Sequence, residues 1–128
     1  MLNNVAMKAM KQWMLCGILI LSATAFAQSE VNYDREGNRI KRTTFFAGSE
    51  LVREVGYLEN GHSQGRWVQL NEEGEISIEA YYHEGQKTGT WFVWSDNRQT
   101  LYELHYQNNR LVQANRWKID ARASLAGF

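Results

Sequence analysis

The chain has 128 residues, with 14 basic and 14 acidic side chains and a formal net charge of zero. No run of lysine or arginine stands out, which argues against nucleic acid as a partner. The length predicts one small domain, and a 12% aromatic content with 10 glycines and no proline favours an all-β fold.

The N-terminal segment, 1–27, has the layout of a cleaved export signal. Two lysines precede a short apolar run, and the small residues of an A-x-A site follow, ending at Ala27. The alternative, a membrane anchor, needs about 18–20 continuous apolar residues, and this run is shorter. A leucine precedes Cys16 where a lipidation site needs a small residue. We predict cleavage between Ala27 and Gln28, a periplasmic or secreted product, and contact with the membrane only through the transient signal peptide. Because Cys16 is the only cysteine, the exported chain would hold no disulfide and no thiolate metal site.

A glycine–tryptophan phrase, G-x-x-x-G-x-W, occurs twice in the middle of the chain. The copies start at Gly61 and Gly85, and we call the interval between these two positions the repeat period. A fixed period of this size indicates a repeat architecture. Each copy is followed by an E-x-x-Y that ends at Tyr82 or Tyr106, and an earlier E-x-x-Y ends at Tyr57. We assign structural roles to the recurring residues Gly61, Gly65, Trp67, Gly85, Gly89, Trp91, Tyr57, Tyr82 and Tyr106.

Alternating side chains predict that each repeat is a β-hairpin. In EISIEAYY, residues 75–82, apolar and polar residues alternate with period two, as in a strand with one buried face. The pairs Asn60-Gly61 and Glu84-Gly85 are turn signals, because glycine takes a positive φ without a Cβ clash and asparagine tolerates it.

The last copy of the repeat decays. Asn109 replaces the first glycine, the second glycine is missing, and Trp117 comes two residues late. Atypical terminal copies serve as caps in stacked arrays. We predict an antiparallel β-meander of five to seven strands in one twisted sheet over residues 28–117. The tail, 118–128, is predicted to be a frayed helix or disordered.

These phrases resemble the bacterial MORN-variant repeat of YwqK-like antitoxin proteins. The resemblance rests on G-x-x-x-G-x-W, a polar turn and G-x-[LI]-x-x-E-x-x-Y, and it extends from about Gly37 to Trp117. It implies a β-meander that acts as an interaction module without catalysis of its own, and some members are antitoxins that bind a partner toxin. Since this chain carries a predicted export signal, a toxin partner would act in the periplasm.

The sequence shows no constellation typical of catalysis or metal binding. His62, His83 and His105 fall at unlike positions of the repeat, whereas a metal site needs three or four converging ligands. Glutamates recur with the repeat, and we interpret them as cross-strand partners rather than catalytic groups. No G-x-S-x-G and no phosphate loop occur. We therefore expect a non-enzymatic protein without a cofactor or metal.

Two functional classes remain. The first is protein recognition, in which the β-meander docks an envelope protein, a toxin-like protein or a second copy of itself, and open sheet edges without proline favour strand addition. The second is binding of the cell wall or another glycan by flat aromatic rings. Protein recognition needs a contiguous apolar patch, whereas glycan binding needs exposed aromatics rimmed by amide and carboxylate groups.

Loops of four residues, at 71–74 and 95–98, would fix the register of the hairpins. They pair Leu70 with Glu75, Trp67 with Ile78, Trp94 with Gln99 and Trp91 with Tyr102. One face then forms the core, with Trp67, Ile76, Ile78, Trp91, Val93, Tyr102, Leu104 and Tyr106. The opposite face carries an ion pair between Arg66 and Glu79. It also carries an apolar patch predicted to bind a partner: Phe92, Trp94, Leu101, Val68 and Leu70. The alternative is that the sheet curls, or that the N-terminal segment folds over this patch and covers it.

Overall fold

The computed structural model describes residues 28–120, and most of them are in β-strands. The predicted signal peptide, 1–27, and the end of the predicted tail, 121–128, lie outside the described residues. The strands are β1 Val31–Glu36, β2 Arg39–Phe45, β3 Val52–Glu59, β4 His62–Leu70, β5 Ile76–His83, β6 Gln86–Lys87, β7 Gly89–Trp94, β8 Thr100–Gln107 and β9 Arg110–Lys118.

The nine strands of the described chain form a single open antiparallel sheet in chain order. The two-residue β6 pairs with β5, as β7 does, so β6 and β7 form one strand position that is interrupted at Thr88. This order confirms the predicted all-β meander of hairpins. The predicted number of five to seven strands is wrong. The residues before the first glycine–tryptophan phrase form the complete hairpin β1–β2, and the decayed last copy still forms β8–β9.

Tight turns with the same backbone conformation recur at the repeat period along one end of the sheet. The second central residue of three turns has a positive φ: Gly61 (79°), Gly85 (82°) and Asn109 (69°). The residue before each of them also has a positive φ: Asn60 (51°), Glu84 (49°) and Asn108 (47°). Positive φ at both central positions is the type I′ geometry, whose twist matches that of a two-residue hairpin. Asparagine tolerates this conformation, which explains why the turn survives the loss of glycine at Asn109.

Hydrogen bonds between neighbouring hairpins repeat with the same period. The Gly85 N–H donates to the Ser63 carbonyl over 2.9 Å, and the Asn109 N–H donates to the Lys87 carbonyl over 3.0 Å. Donor and acceptor both advance by one repeat period from the first bond to the second. The turns at Gly85 and Asn109 are therefore each tied to the hairpin that precedes them, and these hairpins form a structural repeat.

The loops at the other end of the sheet differ from the prediction and shift the register. The observed pairs are Leu70 with Ile76 rather than Glu75, Trp67 with Ala80 rather than Ile78, Trp94 with Leu101 rather than Gln99, and Trp91 with Leu104 rather than Tyr102. The predicted pairs were wrong because the loops exceed four residues. The Asn71 N–H closes the first loop on the Glu75 carbonyl, and the Ser95 N–H closes the second on the Thr100 carbonyl.

Most of the shifted pairs keep their faces. Three of the four shifts are by two residues, and side chains alternate with period two, so the predicted faces of both tryptophan strands stand. The exception is Leu70, whose partner shifts by one residue at a β-bulge between Gln69 and Leu70. Leu70 and its partner Ile76 therefore share a face, whereas the prediction placed them on opposite faces.

One face of the sheet, which we call the core face, holds the main cluster of buried side chains. Trp67, Ala80 and Trp91 keep 5%, 5% and 8% of their surface exposed. The rings of Trp67, Tyr82, Trp91 and Tyr106 follow one another across the strands with centroid distances of 6.2, 5.2 and 5.0 Å. No side chain of the described chain is less than 2% exposed. The rings of this aromatic ladder pack in one cluster with Ala80, and their burial stabilises the sheet.

The glycine of β3, Gly56, leaves the space that the indole of Trp67 occupies. A Cβ built on Gly56 would lie 2.0 Å from Cδ2 of Trp67, so the indole packs directly against the bare backbone. The second tryptophan is fixed differently, because the Trp91 indole N–H donates to the Tyr81 carbonyl over 3.0 Å.

Tyr57 does not hold the repeat position that we predicted for it. Leu58, which lies one repeat period before Tyr82, packs against the core together with Tyr82 and Tyr106. Tyr57 lies on the opposite face, and its hydroxyl donates to Glu36 Oε2 over 3.1 Å. The E-x-x-Y that ends at Tyr57 is one residue out of the repeat frame, so its match to the later copies was misleading.

The second glycine of each phrase marks an insertion in the strand ladder. Between the pairs of Tyr57 with Gln64 and Val55 with Val68, three residues of β4 lie opposite one residue of β3. Gly65 in this insertion has a φ of 72°, and Gly89, its equivalent in the next repeat, has a φ of 64°. An insertion of two extra residues leaves the alternation of faces unchanged, so the tryptophan that follows the glycine stays on the core face.

Candidate functional site

Residues that pair directly across antiparallel strands lie on the same face. On the face opposite Trp67 and Trp91, which we call the outer face, β7, β8 and β9 therefore present three rows of side chains. The rows are Trp94–Leu101–Trp117, Phe92–Glu103–Asn115 and Thr90–His105–Gln113. The first row is apolar, the second is mixed and the third is polar.

Three of the five residues predicted to bind a partner lie together in these rows. Trp94 stands opposite Leu101, and the rings of Phe92 and Trp94 are 6.2 Å apart between centroids. The Arg98 guanidinium carbon lies 5.6 Å from the Trp94 ring centroid, within the range of a cation–π contact. Arg98 is itself held by a 2.7 Å contact from Nε to Glu75 Oε2, so the indole of Trp94 is supported from the loop side.

The other two predicted residues lie elsewhere on the sheet. Val68 is 7% exposed, between its cross-strand neighbours Val55 and Glu79, and offers little surface to a partner. Leu70 lies beside Ile76 at the β-bulge that ends β4. The structure thus brings Phe92, Trp94 and Leu101 together as half-buried side chains, whereas Val68 is buried.

Trp117 lies at the end of the apolar row, although it is not one of the residues predicted to bind a partner. Trp117 is 54% exposed, and its indole N–H donates to Glu103 Oε2 over 3.0 Å. We define the aromatic patch as Phe92, Trp94, Leu101 and Trp117. This hydrogen bond orients the ring of Trp117 while most of the indole stays open to solvent.

A single missing glycine explains the position of Trp117. Between the pairs of Tyr106 with Leu111 and His105 with Gln113, β9 has one extra residue, where β4 has two. Gln113 stands one repeat period after Gly89, so the glycine with positive φ is absent from this copy. One extra residue reverses the alternation, so the side chains of the odd-numbered residues from Gln113 to Trp117 lie on the outer face. The missing second glycine was the signal that could have revealed this reversal.

The middle of the outer face holds a connected polar network around Glu103. Oε1 of Glu103 lies 2.8 Å from Nε2 of His105, and Oε2 accepts the Trp117 indole N–H. The other ring nitrogen of His105, Nδ1, lies 3.1 Å from Oγ1 of Thr90. The network spans β7, β8 and β9, and it uses both oxygens of the carboxylate.

The equivalent carboxylate one repeat earlier, Glu79, is also engaged. Its Oε1 accepts from the Tyr81 hydroxyl over 2.8 Å, and both of its oxygens lie 3.3 Å from Arg66 nitrogens. The predicted ion pair is present, although Arg66 stands opposite Tyr81 and meets Glu79 on the diagonal. The hydrogen bond from Arg66 is the largest cause that lowers the pKa of Glu79, and the bond to Glu79 raises the pKa of Tyr81. These contacts favour a charged Glu79, which is the opposite of what a general acid needs.

The other two histidines lie near the tight turns. His62 and His83 line a shallow depression together with Glu59, Gln64 and Glu84, and His83 Nδ1 lies 3.4 Å from the Gln64 amide nitrogen. Within residues 28–120, no group of three or more His, Cys, Asp or Glu side chains is arranged to hold a metal ion. The same part of the chain contains no helix long and apolar enough to span a membrane.

Comparisons with protein-family models, with curated proteins and with solved structures found no match to this chain.

Proposed function

We propose that this protein is an exported, non-catalytic β-repeat module that docks another protein through the aromatic patch on its outer face. The observation that supports this most strongly is the row Trp94–Leu101–Trp117, which places two indoles on either side of a leucine on a sheet face. Contiguous apolar surface with a polar rim is typical of interaction sites, and tryptophan is enriched among the residues that dominate binding energy.

Preorganisation of the patch adds to its fitness for binding. Trp94 is supported by Arg98 and by the Phe92 ring, and Trp117 is oriented by Glu103. A side chain that is already fixed loses less conformational entropy when a partner arrives. The polar side chains of the neighbouring rows on the outer face supply hydrogen-bonding groups to the rim of such an interface.

The proposal includes export and membership of the MORN-variant repeat family. The charge, apolar and A-x-A layout of residues 1–27 supports export, and a periplasmic partner follows from it, either an envelope protein or a toxin that acts there. N-terminal sequencing of the protein from a periplasmic fraction is expected to start at Gln28. Recovery of the chain with Met1 retained would refute export by this route.

A glycan is the second candidate ligand, because the polar groups lie beside the indoles. Glu103, His105 and Asn115 stand in the rows next to Trp94 and Trp117, which is the arrangement of aromatic platform and hydrogen-bonding side chains that suits a sugar. Sedimentation with purified peptidoglycan tests this candidate directly.

The test compares capture of proteins from envelope extract by the parent chain and by Trp94→Ala. The matched control is Tyr102→Ala, which removes an aromatic ring that is 39% exposed on the core face of the same hairpin. We expect Trp94→Ala to lose a protein that the parent and Tyr102→Ala both retain. Equal retention by all three chains would contradict the assignment of the patch, and pelleting with peptidoglycan that depends on Trp94 would favour the glycan instead.

A further inference from the structure

The two edge strands of the sheet expose several large apolar side chains. On β1, Tyr33 is 60% exposed, and on β9, Leu111, Val112 and Trp117 are 52%, 53% and 54% exposed. Proteins usually protect an open edge with proline, charged side chains, β-bulges or a covering segment, because its unpaired N–H and C=O groups accept another strand. β9 carries basic side chains and one bulge, so what matters for pairing is which partner its charges fit. Neither edge strand contains proline.

The edges carry opposite charge. β9 has three basic residues and no acidic one, a formal charge of +3, and β1 has two acidic residues and one basic, a formal charge of −1. The residues concerned are Arg110, Arg116 and Lys118 on β9, and Asp34, Glu36 and Arg35 on β1. Pairing of β9 with β9 or of β1 with β1 would bring like charges together, whereas pairing of β9 with β1 brings unlike charges together.

The main-chain groups that face outward can be read from the hydrogen bonds at each edge. The Phe45 N–H donates to the Glu30 carbonyl over 2.9 Å, so even-numbered residues of β1 turn their main-chain groups towards β2. The outward-facing residues are therefore Val31, Tyr33 and Arg35. At the other edge the Ile119 N–H donates to the Gln99 carbonyl over 2.9 Å, and the same alternation leaves Ala114, Arg116 and Lys118 facing outward.

The direction and the faces of the two edges also match. With β6 and β7 counted as one position, the sheet has an even number of antiparallel strands, so β9 runs opposite to β1. On β1, Tyr33 pairs with Arg42, which pairs with Gly56 beneath the Trp67 ring, so the side chain of Tyr33 lies on the core face. On β9, Ala114 pairs with Leu104, so its side chain lies on the core face as well. Pairing the outward main-chain groups therefore continues the core face from one copy into the next.

We propose that copies of this chain pair head to tail, with β9 of one copy against β1 of the next, in one continuous antiparallel sheet. The repeat frame gives the register. The pairs Trp67 with Ala80 and Trp91 with Leu104 are one repeat apart. Ala114 holds the next equivalent position on β9, one residue early, because β9 inserts one extra residue where β4 inserts two. Tyr33 lies four residues before the turn at Gly37, as Ala80 lies four residues before the turn at Glu84, so the same frame sets Ala114 opposite Tyr33 of a second copy. The exposed ring of Tyr33 then lies over the smallest side chain of β9, a large–small pair like that of Trp67 with Ala80. This pairing differs from the proposed docking of another protein, because it uses main-chain groups at the edges of the sheet, whereas docking uses side chains on the outer face. The two surfaces meet at Trp117, which lies on β9 and belongs to the aromatic patch.

Head-to-tail pairing uses two different surfaces of each copy, so it generates an open-ended assembly with one free edge at each end, or a ring where the rotation between copies closes. Proline at an outward-facing position removes an N–H that makes no bond in the ladder of the single copy, and so blocks one edge with little damage to the fold. Ala114→Pro blocks β9, and Tyr33→Pro blocks β1.

Sedimentation velocity of the parent, of each variant and of their equimolar mixture tests the proposal, with circular dichroism to confirm that both variants keep the parent's strand signal. The parent is expected to form multimers whose size grows with concentration. Each variant alone is expected to be monomeric, and the mixture to form dimers and nothing larger, because one free β1 meets one free β9. A parent that stays monomeric at every concentration would overturn the proposal. A single variant that dimerises alone would overturn it as well, since the contact would then join like edges.

The register has its own test, which does not depend on the proline variants. In a Cys16→Ala background, Tyr33→Cys and Ala114→Cys together are expected to give disulfide-linked multimers on mild oxidation, because a directly opposed, hydrogen-bonded pair has Cα atoms about 5.5 Å apart. The matched control, Tyr33→Cys with Lys118→Cys, sets the cysteines four residues out of register and is expected to remain uncrosslinked. Equal crosslinking of the two pairs, or none in either, would refute the register.

Discussion

Substitution of Gly56 by alanine tests how the first tryptophan is held. The added Cβ would lie 2.0, 2.3 and 2.5 Å from three atoms of the Trp67 indole, whereas ordinary contact begins at 3.4 Å. The ring would have to move away to restore ordinary contact, and Trp67 has little room to do so because it is only 5% exposed. A glycine replaced by alanine without strain stabilises a protein by about 0.4–1 kcal/mol. Overpacking costs about 1–3 kcal/mol, and loss of a packed tryptophan costs about 3–5 kcal/mol. We expect Gly56→Ala to lower the free energy of unfolding by about 2–4 kcal/mol.

Urea unfolding followed by circular dichroism measures this loss, and a double-mutant cycle isolates its cause. In a Trp67→Leu background the smaller side chain leaves room for the new methyl group, so Gly56→Ala should there be neutral or slightly stabilising. A neutral or stabilising Gly56→Ala in the parent chain would refute the packing described for Trp67. So would an equal loss in both backgrounds, since the cost would then not arise from the indole.

Two further predictions concern single side chains. The pKa of Glu79 is lowered in the fold from its ordinary value of 4.5, so its contribution to stability is present above pH 4.5 and is lost as the pH falls through the lower, folded value. The difference in unfolding free energy between the parent and Glu79→Gln should therefore be larger at about pH 7 than at about pH 3, and an equal difference at the two pH values would contradict the role of Arg66. At the tight turn, Glu84 has a φ of 49° where the preceding repeat has Asn60, so Glu84→Asn should raise the free energy of unfolding by about 0.5–1 kcal/mol. The control Glu72→Asn, at a loop position without positive φ, should change it little, and equal effects would argue against backbone strain at Glu84.

Much of the fold could be predicted because the same turn and strand signals recur in each repeat. Asn60-Gly61 and its equivalents specify tight turns, and the tryptophan that follows the second glycine specifies the core face. The loops carried no such signal. Backbone hydrogen bonds from Asn71 and Ser95 close the two loops, and the loop lengths depend on a positive φ at Gly74 and Arg98. A positive φ at an arginine cannot be predicted from the sequence. The predicted register was therefore wrong. The partners of Trp67 and Trp91 shift by two residues, so both tryptophans still lie on the predicted face.

The candidate site was predicted in part for a related reason. Phe92 and Trp94 are fixed by simple alternation from Trp91, and that inference needs no long-range information. Trp117 depends on how many extra residues β9 inserts, and Val68 depends on how closely Val55 and Glu79 cover it. Exposure at the edges of the sheet, including that of Tyr33, depends on strand order across the whole chain, which single repeats do not specify.

The free energies of unfolding of Trp91→Ala and Trp94→Ala, measured side by side in urea, test most directly whether the core face holds the fold while the outer face is left for binding. Trp91 is 8% exposed in the aromatic ladder, and its truncation should cost about 3–5 kcal/mol. Trp94 is half-buried on the outer face, where it contacts Phe92 and Arg98, and its truncation should cost about 1 kcal/mol or less. Equal losses for the two variants would contradict the account, because the aromatic patch would then belong to the core.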